Sequence, residues 1–146
     1  IFWVTDSWYL VVIITAAVLT LIYLRFKEVP GPAFLVADSF GLALFALSGA
    51  QYSQQGGYDP LIVILMGTMT GVTGGIIRDV ITAKVPLVLR REIYATAAIA
   101  GIALYLLLQA LGLAQTLAFW IGILVVAGLR LLALRWNLHL PVLYKP

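Results

Sequence analysis

Two apolar stretches carry polar and charged groups at helical spacing. From Gly41 as origin, Asp38, Phe45, Ser48, Gly49 and Tyr52 fall at −3, +4, +7, +8 and +11, which is one face of a 3.6-residue helix. From Gly67, the residues at +3, +4, +7, +8 and +11 are Thr70, Gly71, Gly74, Gly75 and Arg78. Each stretch is a stripe of small residues ending in a charge, and its other face is Leu, Ile, Val, Ala and Met. Hydroxyls, a carboxylate and glycine backbone in such a stripe could replace the hydration water of a small cation. They could equally receive the amine and carboxylate of a small zwitterion.

Each group also has a structural reading. Gly67, Gly71 and Gly75 form overlapping G-x-x-x-G spacings, which let helix backbones approach closely, and Gly41 and Gly49 fit the same role. Gly74-Gly75 beside Thr73 points instead to a break in the helix, because each glycine costs about 1 kcal/mol relative to alanine. Backbone freed at that depth must be satisfied by protein or by a water-filled cavity, so a break there implies a pathway. Asp38, Arg78, Asp79 and Arg130 all fall within apolar runs, where an ionisable group costs at least roughly 2.5 kcal/mol unless paired or hydrated. They are expected to face inward, as an ion-pair cluster, as part of a permeation path, or as both.

Catalysis finds little support. The one histidine, His139, follows the last apolar run, and there is no G-x-S-x-G turn to present a serine. Asp38 and Asp79 lack an accompanying nucleophile or metal. With no cysteine and one histidine, a resident metal or other cofactor is not expected; K⁺ or Na⁺ would be a permeant ion.

The elements that must position these groups are membrane spans. Of 146 residues, 63% are hydrophobic and 10% charged, with a mean hydropathy of +1.07. A soluble chain carries roughly 25% charged residues, so the chain is read as an all-α integral membrane protein, a multi-span helical bundle. Five runs approach the ~20 residues that a bilayer core requires: Ser7 to Leu24, Ala33 to Tyr52, Leu61 to Ala83, Ile93 to Leu113 and Leu117 to Leu134. Pro30-Gly31-Pro32, Gly56-Gly57 with Pro60, Pro86 and Gly112 punctuate them. The net charge of +3 does not indicate nucleic acid, because the basic residues sit between apolar runs. Alternating the spans places Arg25, Lys27, Lys84, Arg90, Arg91, Arg135 and Lys145 on one side, opposite Asp6 and Asp59. The positive-inside rule makes that side, and the C-terminus, cytoplasmic. Trp3, Trp8, Tyr9, Tyr52, Tyr58 and Tyr94 near span ends read as interfacial anchors.

The helix Asp38-Ser39-Phe40-Gly41 through Ala50, the segment Met66 to Val80 with its G-G-x-x-R-D, then Val85-Pro86-Leu87, Arg91-Glu92-Ile93-Tyr94-Ala95 and the tail Arg130 to Trp136 together resemble the second half of a bacterial TRIC protein. These are prokaryotic relatives of the trimeric intracellular cation channels, and the same domain is also known as a glycine transporter domain. The resemblance implies seven helices, in two inverted three-helix repeats plus a seventh, assembled as a homotrimer in the bacterial inner membrane with a pore in each subunit. On that pattern residues 1–25 end the first repeat, 33–113 form the second, 117–134 form the last helix and 135–146 are a cytoplasmic tail. Two earlier helices of the pattern are absent from this sequence. The implied activity is conduction of monovalent cations, K⁺ foremost, with secondary transport of a small amino acid such as glycine as the alternative. The resemblance also implies that the glycine-rich helix lines the pathway, which makes Thr70, Thr73, Gly74, Gly75 and, opposite, Ser48 and Asp38 the candidate pore residues.

Overall fold

A computed structural model describes residues 7–26, 31–81 and 93–136. They form five helices: α1 (Ser7–Phe26), α2 (Gly31–Gln55), α3 (Pro60–Ile81), α4 (Ile93–Ala110) and α5 (Gln115–Arg135). The helices cover the five expected spans with ends displaced by up to three residues. Four of them, α2 to α5, are long and apolar enough to cross a bilayer. In α1 the continuous apolar stretch, Leu10–Thr20, is shorter than a full span. Asp6, Lys27, Lys84, Arg90, Arg91, His139 and Lys145 lie outside the described residues, as do Trp3 and the tail beyond Trp136.

The chain divides into two compact units, Ile1–Phe34 and Leu35–Pro146. In the first, α1 is exposed along the part whose surface is described, and the Thr20 hydroxyl donates to the Ala16 carbonyl at 2.7 Å. The second holds the core. Its turns follow from two glycines with positive φ. Gly112 has φ +89 and ends α4 in a Schellman arrangement, with Gly112 N–H donating to Gln109 and Leu113 N–H to the Leu108 carbonyl. Gly57, with φ +75, ends α2 similarly, its N–H donating to the Gln54 carbonyl. Both turns are short, so α2 with α3 and α4 with α5 run antiparallel.

Small residues bring these helices together. A Cβ added at Gly67 would stand 2.7 Å from the Ala46 carbonyl oxygen and 2.9 Å from Ala50 Cβ; one at Gly71 would stand 2.9 Å from Ala46 Cβ. Thr70 occupies the space that a side chain at Gly49 would need. On the other hairpin Gly101 packs against Val126, and Gly122 against Leu47 of α2. Around these contacts Leu42, Leu47, Ile102, Tyr105 and Val126 are fully buried with a set of alanines. Gly49, Gly67 and Gly71 are therefore packing glycines, as the spacing allowed.

The expected break at Gly74-Gly75 does not occur, and α3 runs uninterrupted from Pro60 to Ile81. Two glycines weaken a helix by about 2 kcal/mol, whereas each unsatisfied backbone group in a membrane costs several. Keeping the hydrogen bonds is the cheaper solution. These two glycines provide space instead of a break.

Candidate functional site

A cleft of about 310 Å³ lies between α2 and α3, with Tyr94 of α4 among its walls. From α2 it takes Asp38, Gly41 and Phe45, and from α3 Gly71, Gly74, Gly75 and Arg78. Its room comes from absent side chains, since outside the local helix backbone no atom of the described residues lies within 4 Å of where a Cβ at Gly41 or Gly74 would stand.

The polar groups of this cleft form one network. Arg78 Nη1 donates to Asp38 Oδ1, and the Nε and Nη2 of the same guanidinium donate to Asp79 Oδ1 at 2.9 and 2.7 Å. Arg78 is thus shared between its own helix and α2. The Tyr94 hydroxyl donates to the same Oδ1 of Asp38 at 3.3 Å. Over the Tyr94 ring, 4.6 Å from its centroid, sits the guanidinium of Arg130 from α5, a residue that is 1% exposed. A cation over an aromatic face is worth about 0.5–2 kcal/mol, more when desolvated as here. The Asp38 side chain is 4% exposed, and its Oδ2 has no hydrogen-bond partner among the described residues. Four helices are joined at the end where α2 and α4 begin and α3 and α5 finish.

The structure therefore joins Asp38, Arg78 and Asp79 through ion pairs and places Arg130 beside them, stacked on the Tyr94 ring. Tyr94 needs correction: read from the sequence as an interfacial anchor, it is 2% exposed and central to the network. By contrast, Trp8, Tyr52 and Tyr58 are exposed, and the side chain of Tyr9 is outside the described residues. Of the candidate pore residues, Asp38, Gly74 and Gly75 line the cleft. Ser48, Thr70 and Thr73 do not; all three are exposed, and the hydroxyls of Thr70 and Thr73 donate to the Met66 and Met69 carbonyls at 2.8 and 2.6 Å.

A helical membrane protein with a charged cleft between glycine-faced spans is the class that fold and site define. Residues 35–110 match the family described as "Glycine transporter". The chain is 39% identical over 143 residues to the UPF0126 inner membrane protein YadS of Escherichia coli K12, covering 97% of this chain and 69% of that protein. It is also 39% identical over 142 residues to a UPF0126 membrane protein of Vibrio cholerae, covering 97% of this chain and spanning 59% of that relative's length. Its fold superposes on the TRIC trimeric intracellular cation channel orthologue from Rhodobacter sphaeroides with a TM-score of 0.86 at 37% identity, over 94% of this chain and 71% of that one. The chain belongs to this glycine transporter family, the TRIC family.

Proposed function

We propose that the chain contributes a pathway for monovalent cations, K⁺ foremost, running past the cleft between α2 and α3. The observation that carries this reading is Asp38, a carboxylate in the cleft wall with 4% side-chain exposure and one oxygen left without a hydrogen-bond partner among the described residues. A buried, incompletely paired carboxylate attracts cations and repels anions. Likeness to cation channels of the TRIC family supports the same reading. The glycine-carrier alternative relied on a half-helix N-terminus after Gly75 to receive a carboxylate; α3 is continuous there, which removes that element. The similarity also supports assembly as a homotrimer in the bacterial inner membrane; the distribution of basic residues is what argues for the ends of α3 and α5 facing the cytoplasm. Proteoliposomes containing the purified full chain should pass K⁺ down an imposed gradient, with currents reversing at the K⁺ potential. Saturable uptake of radiolabelled glycine without such currents would overturn the reading.

A further inference from the structure

The two adjacent glycines of α3 have different surroundings. No neighbouring atom of the described residues comes within 4 Å of a Cβ placed at Gly74, whereas a Cβ at Gly75 would stand 2.5 Å from the Tyr94 hydroxyl oxygen and 3.3 Å from Tyr94 Cζ. The phenol thus fills a notch that exists because Gly75 has no side chain. The same hydroxyl donates to Asp38 Oδ1, the oxygen that Arg78 also engages, while Oδ2 is buried without a hydrogen-bond partner among the described residues. Left to itself, a carboxylate beside a guanidinium turns to offer both oxygens to the fork. Holding Oδ1 between the phenol and Arg78 opposes that rotation. The unpaired oxygen retains a desolvation cost that an arriving cation would remove.

We propose that Tyr94 is a positioning residue: its hydroxyl, seated in the Gly75 notch, holds the Asp38 carboxylate by one oxygen and so sets the affinity of the cleft for a monovalent cation. The affinity part rests on the cation reading above; the seating of the hydroxyl does not.

The test compares wild type, Tyr94→Phe, Gly75→Ala and the double variant, each as the full chain, in K⁺ flux over a range of K⁺ concentrations and in thermal melting. Tyr94→Phe keeps the ring under Arg130, so its melting temperature should stay near wild type. The K⁺ concentration for half-maximal flux should rise about tenfold, the equivalent of one hydrogen bond to a charged group, with maximal flux retained. Gly75→Ala should displace the hydroxyl and give the same rise, and the double variant should match either single variant because both act through one group. In melting, Gly75→Ala should destabilise wild type yet be far milder in the Tyr94→Phe background, where the oxygen at 2.5 Å is gone. A Tyr94→Phe protein that melts lower but keeps the wild-type half-saturation, or flux effects that simply add, would overturn the positioning role. If wild type passes no K⁺, the cation reading fails, and the melting cycle still decides the notch: equal destabilisation by Gly75→Ala in both backgrounds refutes it.

Discussion

Gly67 of α3 lies so close to the backbone of α2 that a Cβ would stand 2.7 Å from the carbonyl oxygen of Ala46. Backbone cannot swing aside as a flexible side chain can, so the helices themselves would have to separate. A Cβ at Gly41 on the facing helix would meet no neighbouring atom of the described residues within 4 Å. Gly67→Ala should therefore destabilise by about 1–3 kcal/mol through overpacking, against a gain of about 1 kcal/mol from helix propensity at Gly41→Ala. Melting in detergent should separate the two in opposite directions from wild type.

Gly74→Ala distinguishes space from hinge. The helix is already continuous there, so alanine should raise stability by up to about 1 kcal/mol. Its methyl group would enter the cleft, and K⁺ flux should fall. Reduced stability with normal flux would contradict the assignment of Gly74 to the cleft wall.

The parts of this arrangement that showed in the sequence are those where one physical requirement has one solution. Charges at Asp38, Arg78 and Asp79 inside apolar runs had to be paired or hydrated, and their places near the helix ends on one side of the membrane indicated which ends would meet. Tyr94 did not show, because an aromatic residue at the start of a span suits the interfacial belt as well as a buried network, and only the approach of Arg130 from α5 decides between them. Gly74-Gly75 misled for a related reason. Propensity favours a break there, and the backbone hydrogen bonds outweigh it. The hydroxyls of Ser48, Thr70 and Thr73 were grouped with the pore by the family resemblance, but a threonine in a helix can satisfy its hydroxyl on the preceding turn, as Thr70 and Thr73 do.

Arg78 balances two carboxylates, so its removal should cost more than removal of either. Arg78→Gln leaves Asp38 and Asp79 buried without that guanidinium, and breaking a buried pair from one side costs about 3–5 kcal/mol. Asp38→Asn keeps the shape and can still accept from Arg78 and Tyr94, so its stability loss should be smaller. Its K⁺ flux should nonetheless fall sharply because the negative charge is gone. Melting and flux measured on both variants check the order: lower stability for Arg78→Gln, and selective loss of flux for a still-folded Asp38→Asn.

At the other end of the bundle the joints are uncharged. Tyr105, fully buried, donates its hydroxyl to Gln54 Oε1 at 2.8 Å, and Gln54 Nε2 donates to Gln109 Oε1 at 3.0 Å. Gln115 Nε2 donates to the Tyr105 oxygen at 3.3 Å, so the last turns of α2 and α4 and the first of α5 are tied through side chains alone. Gln54→Leu removes the centre of this set and leaves the Tyr105 hydroxyl buried without its acceptor, at a cost of about 1–3 kcal/mol. Tyr105→Phe in the same chain removes the orphaned group and should recover part of that loss, a non-additive result in a double-mutant cycle. Because these groups lie away from the Asp38 cleft, the half-saturating K⁺ concentration of Gln54→Leu should match wild type. A shift comparable to that of Asp38→Asn would mean that the uncharged end also controls the cation path.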